Sequence, residues 1–132
     1  MLPTKEQLIQ HLTDKMTNKD IAIVYETTFQ KIIQLIKKND LNPNELRKVN
    51  KFIVYEHWYN GKVVYVGSGV WYRCRRYKNR RNSEHVHLME YGKLEYRIVG
   101  EYEKVEDARK HEARLIQKYK QLGQAKFNKK MH

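Results

Sequence analysis

Glu112 is the residue whose placement most needs a chemical reason. Val105, Ala108, Leu115, Ile116 and Tyr119 recur at helical spacing and form one apolar stripe. At about 100° per residue Glu112 falls inside that stripe. A carboxylate facing a core is costly unless it is paired or holds a cation. Two readings stand side by side: an ion pair with an arginine, or one oxygen ligand for a hard divalent ion. Mg²⁺ often accepts one or two carboxylates and fills its other positions with water and phosphate oxygens. The second signal is positive charge. Lys and Arg number 27 against 15 Asp and Glu, a net of +12. Residues 1–50 hold eight cations and six anions, whereas residues 51–132 hold nineteen and nine. Arg73, Arg75, Arg76, Lys78, Arg80 and Arg81 crowd into one short run. Such a field suits a polyphosphate, because each neutralised phosphate releases condensed counterions. The plainer alternatives are a solvated basic face or an acidic membrane surface. Other chemistries find no support. His85 and His87 would point to different sides of a helix, and Cys74 is a lone cysteine, so neither a zinc site nor a disulfide is expected. No phosphate-cradling glycine loop and no Ser-His-Asp arrangement is visible.

The elements that would position these residues fall into two groups. Thr4 caps a helix running through Asp14, with Leu8, Ile9 and Leu12 inward. Thr17 caps a second, shorter helix with Asp20 at its third position, close to a capping box, and Ile21 and Val24 as apolar contacts. After a break at Tyr25-Glu26-Thr27, Thr28 starts a third helix carrying Phe29, Ile32, Ile33, Leu35 and Ile36. The turn-rich stretch Asn39 to Asn44 ends it, and residues 43–51 read as a linker or helical spacer. From Phe52 the period changes to strand. Phe52–Tyr55 and Lys62–Val66 flank Asn60-Gly61, a hairpin signal. Val70 to Asn79 and Ser83 to Tyr91 read as helices, the second capped by Ser83 and stopped by Gly92. Leu94, Tyr96, Ile98 and Tyr102 alternate with Glu95, Arg97, Val99 and Glu101 as a third strand would, and a last helix spans about Val105 to Gln121.

Two resemblances sharpen this outline. The stretch Met16-Thr17-Asn18-Lys19-Asp20-Ile21-Ala22, followed by Thr27-Thr28 and Ile32, resembles the helix-turn-helix of small DNA-reading domains in phage and bacterial proteins. It implies Thr27, Thr28, Gln30 and Lys31 at the exposed start of a recognition helix. Further on, Ile53-Val54-Tyr55 and Tyr65-Val66-Gly67 are similar to the pair of motifs that names the GIY-YIG nucleases. An arginine-bearing helix, Glu112 in Ala108-x-x-x-Glu112, and Asn128 in Phe127-Asn128-Lys129-Lys130 follow in that family's order, across residues 52–130. The first motif has Ile53 where the family has glycine, and His85 is a distant counterpart of the family's first-helix histidine.

The resemblance implies metal-dependent hydrolysis of phosphodiester bonds. Tyr55 would be the general base, with Lys62 as a helper because an unperturbed tyrosine titrates near 10. Tyr65 would orient the attacking water, Glu112 would hold Mg²⁺ or Mn²⁺, and Asn128 would brace the site. The arginine is Arg73 by the spacing that Ser68-Gly69 favours, or Arg75 by the longer spacing. Arg75, Arg76, Arg80 and Arg81 would grip DNA. For a catalytic face shared by Tyr55 and Tyr65, a three-residue loop Tyr59-Asn60-Gly61 would pair position 55 with 65; a two-residue turn would pair Tyr55 with Val66 and separate them.

The fold class expected is therefore α+β: a small three-stranded, mainly antiparallel sheet with flanking helices, GIY-YIG-like, at 52–132. An all-α helix-turn-helix module at 1–42 precedes it, with 43–51 between. The partner expected is double-stranded DNA, with a homodimer on DNA open and no membrane partner. A cytoplasmic location in a bacterial or phage-infected cell is expected. A decayed GIY-YIG protein acting as a DNA-binding regulator or shield is the alternative, and RNA as target is a third reading.

Overall fold

The computed structural model describes residues 1–76 and 82–128. Among them are six α-helices, one short 3-10 turn and one three-stranded antiparallel sheet, an α+β composition. No helix among the described residues is long and apolar enough to cross a membrane. The chain divides into two compact units, Met1–Val49 and Asn50–His132.

The first unit holds α1 (Lys5–Thr13), α2 (Asn18–Val24), α3 (Phe29–Lys38) and α4 (Pro43–Arg47). Thr4 and Thr17 both form full capping boxes, with Gln7 and Asp20, so at each helix start the N–H groups of the cap and of the third position are satisfied. Thr28 caps α3 by accepting from Lys31 N. The core is Leu8, Leu12, Met16, Ile21, Ala22, Ile32 and Ile36. Two expected contacts face outward: Val24 is 56% exposed and Phe29 39% exposed, and Ala22 fills the place expected of Val24.

The stretch 43–51, read as a linker or helical spacer, is in part a helix of the first unit. Asn42 caps it, accepting from Glu45 N, and Pro43 opens it, where a missing N–H costs nothing. Arg47 is buried, with Nε donating to Met16 O at 3.0 Å and Nη2 to Asn18 Oδ1 at 2.7 Å. Lys15 Nζ donates to Arg47 O at 2.9 Å. Burial pulls the Arg47 guanidinium below its ordinary pKa, and Asp20 opposes the shift.

The second unit is built on β1 (Phe52–Tyr59), β2 (Lys62–Val70) and β3 (Glu95–Tyr102) in the order β2-β1-β3. The β1–β2 turn has two residues, Asn60 and Gly61, both at positive φ (51° and 76°), as a hairpin turn of matching twist needs. Tyr59 pairs with Lys62 and Trp58 with Val63, but His57 pairs with Tyr65, so Val64 is an extra residue. The bulge restores parity. Tyr55 lies opposite Gly67, and Tyr55 and Tyr65 share a face without being direct partners. Neither the three-residue loop nor the separation of faces expected of a two-residue turn is found. A second irregularity makes Val99 the extra residue of β3 between Gly100, opposite Val54, and Ile98, opposite Tyr55. It divides the expected alternation: Tyr96 and Ile98 pack with Tyr55, while Tyr102 packs on the other face.

One face of the sheet is covered by α6 (Val105–Gln121), with Val54, Val63, Val66, Ala108, Ile116 and Tyr119 in its core. On the other face Ile53, Tyr55 and Cys74 pack together, and α5 (Ser83–Glu90) contributes Leu88 and Met89 to a neighbouring cluster with Phe127. Asn82, not Ser83, caps α5, its side chain accepting from Glu84 N. Where a helix over Val70–Asn79 was expected, Val70 instead ends β2 and a 3-10 turn covers Arg73–Arg75. Residues 77–79 of that stretch, with Lys78, lie outside the described residues.

Candidate functional site

The central strand β1 alternates between the two faces, and this places Tyr55 and His57 together. The Tyr55 ring leans across the neighbouring strand, so that a Cβ at Gly67 would collide with its hydroxyl and Cζ atoms. Tyr55 is buried at 2% exposure and Tyr65 is half-buried, with ring centroids 6.3 Å apart. Glycine at position 67 is what lets a central-strand tyrosine carry its hydroxyl over the edge strand.

The next residue faces the opposite way. Ser68 pairs with Val54 on the α6 face, and its Oγ donates to Glu112 Oε1 at 2.5 Å. Glu112 is half-buried, and among the described residues its partner is this hydroxyl and not an arginine. Gly69, at φ 148°, then makes room for Arg73, whose Cδ would lie 2.7 Å from a Cβ there. Three consecutive residues of β2 thus touch Tyr55, Glu112 and Arg73 in turn. Glu112 and the tyrosines approach the edge strand from opposite faces.

Arg75 lies on the tyrosine side. Its guanidinium carbon stands 4.6 Å from the Tyr96 ring centroid, a cation–π contact, and its buried Nε has no hydrogen-bond partner among the described residues. A buried donor without an acceptor costs about 1–3 kcal/mol, a cost that an anionic oxygen would remove. Arg76 is exposed, 5.4 Å from the Tyr72 ring centroid. Arg80 and Arg81 lie outside the described residues.

Asn128 is buried and completes β2 from outside. Its Oδ1 accepts from Val66 N and its Nδ2 donates to Val66 O, both at 2.9 Å. It holds the backbone between Tyr65 and Gly67. Lys62 is not brought to the site. It is exposed at the hairpin end of β2, five residues from Gly67, roughly 16 Å along the strand. There it lines a groove with Tyr59, Gln124 and Lys126. In the first unit Thr28 and Gln30 are exposed at the start of α3, and Thr27 and Lys31 are half-exposed. Thr27, Thr28 and Gln30 line a surface groove of about 360 Å³ with Lys19, Ile23 and Phe29.

Sequence reasoning passed over two groups that the structure brings in. His57 is fully buried on the tyrosine face, 2.8 Å from His85 Nε2 through its Nδ1 and 2.6 Å from Cys74 O through its Nε2. Period-two counting from Tyr55 would have found it. On the α6 face Glu56 is buried and accepts from Trp58 Nε1 at 2.9 Å and Tyr119 Oη at 2.8 Å. Burial and then that bond to Glu56 push the Tyr119 phenol up to about 12. Glu56 therefore has two donors and reads as a satisfied core carboxylate. Among the described residues no three His, Cys, Asp or Glu side chains gather as a metal cage. A cation held by Glu112 would rest on one protein carboxylate, whose Oε2 the described residues leave unengaged.

No protein-family model, no curated protein and no solved structure matches the chain.

Proposed function

We propose that the second unit is a divalent-metal-dependent DNA endonuclease module of GIY-YIG type, and that the first unit is a helix-turn-helix that reads DNA. The observation that carries the proposal is the run Gly67-Ser68-Gly69. Along one edge strand it meets a tyrosine hydroxyl, then a carboxylate that approaches from the opposite face of the sheet, then Arg73. Those are the groups that water activation, cation binding and phosphoryl charge stabilisation call for. The net positive charge of residues 51–132 supplies the long-range attraction for a polyanion.

In this reading a water attacks phosphorus in line with the leaving oxygen, the P–O ester bond breaks, and the leaving oxygen takes a proton. Tyr55 acts as base in its phenolate form and accepts a proton from the water, Tyr65 orients that water, and the leaving oxygen takes its proton from solvent. Glu112 would hold Mg²⁺ or Mn²⁺, which when bound neutralises charge on the phosphate oxygens. One carboxylate fits such an ion, whose other positions go to water and phosphate. Arg75 shares the phosphate-facing role with Arg73, because its buried Nε awaits an acceptor on the tyrosine side. Arg73 runs along Gly69 as a second cation.

Nicking of supercoiled plasmid with Mg²⁺ tests the proposal. Wild-type protein should nick, EDTA should stop it, and Glu112→Ala and Tyr55→Phe should each lose about 100-fold or more in rate with DNA affinity held within a few fold. Full activity in Glu112→Ala or in EDTA would sink the metal role; full activity in Tyr55→Phe would place the base elsewhere. The second reading is a DNA-binding protein without cleavage. The near-complete burial of Tyr55 favours it, and inactive wild-type protein that binds duplex would select it.

A further inference from the structure

His57 and His85 are buried at 0% and 1% exposure, and the proposed mechanism uses neither. A carbonyl oxygen only accepts, so the 2.6 Å contact to Cys74 O puts the His57 hydrogen on Nε2. In the neutral ring Nδ1 is then an acceptor, and His85 donates to it from Nε2 at 2.8 Å. With both rings neutral the tautomers are fixed, and the bonds run one way: His85 to His57 to Cys74 O. The rings are held as well. His57 stands edge-to-face on Tyr96, with centroids 4.9 Å apart, and His85 stacks on Phe127 at 4.6 Å and 10°. A phenylalanine or leucine would fill this space without the cost of burying ring nitrogens.

The receiving end explains the choice. Cys74 is the buried middle of the 3-10 turn, flanked by the two arginines of the proposed site. That turn has no side-chain cap, and its own closing bond, Arg76 N to Arg73 O, is 3.3 Å long. The geometry points to His57 as a positioning residue that holds the arginine turn against the sheet, with His85 setting its tautomer. Guanidinium groups on an untethered turn keep their charge but lose their place. Charge governs affinity for DNA, whereas placement governs the rate.

This inference rests on the nuclease reading, so its test uses two readouts on the full chain. The first is amide hydrogen exchange at Arg75 and Arg76, which needs no activity. The second is nicking rate beside affinity for duplex DNA. In His57→Phe, exchange at these amides should quicken about tenfold or more while the α1–α3 amides keep their rates. The cleavage rate should fall about 10–100-fold with Kd within a few fold. His57→Gln, whose amide can still donate toward Cys74 O, should recover part of the lost rate. Should His57→Phe fail to fold, His85→Phe against His85→Gln makes the same comparison one bond further back. Unchanged exchange at Arg75 and Arg76, or a His57→Phe protein that cuts at the wild-type rate, overturns the inference. An inactive wild-type protein removes the nuclease reading, and the exchange result alone then decides whether the pair holds the turn.

Discussion

At Gly100 a side chain would run into His111, which lies over the glycine and places Nδ1 2.9 Å from the Tyr102 hydroxyl. Gly67 makes the same provision for Tyr55 on the other face. Two of the sheet's glycines are thus spaces cut for aromatic or imidazole rings. The His111 position has a consequence in acid. Burial, and next the charge of Arg114, lower its pKa from the ordinary 6.5, with Glu56 opposing. The folded ring therefore stays neutral to lower pH than the unfolded one. Between the two values the unfolded chain binds more protons, so this group's stability contribution is present above about 6.5 and lost as pH falls through the folded value. Urea midpoints from about pH 8 down to about pH 5 should fall more steeply for wild type than for His111→Gln. Parallel profiles would show that His111 is not the titrating group.

Strand β2 is an edge, and edges invite unwanted pairing unless they are covered. The segment after α6 covers it with backbone and side-chain bonds together. Ala125 N donates to Val63 O and Phe127 N to Val64 O, Gln124 Oε1 accepts from Val63 N, and the Asn128 amide takes both groups of Val66. Asn128→Ala should leave the Val66 N–H and C=O without these partners and cost about 1–3 kcal/mol in a urea titration. Asn128→Asp should also be destabilising, because a carboxylate cannot donate to Val66 O. An Asn128→Ala protein of wild-type stability would mean that water replaces the amide at no cost. Elements of this kind differ in how far sequence reveals them. The hairpin was legible in Asn60-Gly61, and the ends of α1, α3 and α6 in their caps and periodicity. The bulges were not, because Val63-Val64 and Ile98-Val99 are adjacent β-branched pairs, and alternation alone does not say which member faces the core. Asn42-Pro43 read as turn residues although they cap and open α4. The His57–His85 pair escaped notice because a histidine counts as polar until its partner across the fold is known. Glu112 was nameable from helical spacing, and Tyr55, Tyr65 and Asn128 only through the resemblance to the GIY-YIG motifs; the detail that joins Tyr55 and Glu112, Gly67 beside Ser68, needed the register.

For the whole molecule the division of charge follows the division into units. Residues 1–50 hold eight cations and six anions, so the first unit has little general attraction for phosphate. It instead presents Thr28 and Gln30 beside the exposed Ile23 and Phe29, groups suited to base edges and methyls more than to backbone. The nineteen cations against nine anions after residue 50 suit the opposite task, since phosphate contacts bind without reading sequence. Deleting residues 1–49 should leave the second unit folded, because each unit has its own core. That fragment should bind duplex with a steep salt dependence and nick it with a flatter choice of sites than the full chain. The cut belongs after Val49 and not after Leu41 or Asn42. A chain beginning at Pro43 would keep Arg47 but lose Met16 O, Asn18 Oδ1 and Lys15, the groups that surround it. Its α4, five residues long, would be without a partner and should fray, since so short a helix is marginal without packing. Mapping nick positions on end-labelled duplex for the full chain and for 50–132 decides the matter. If the two ladders of cut sites coincide, base reading resides in the second unit, and the helices of the first serve some purpose other than site choice.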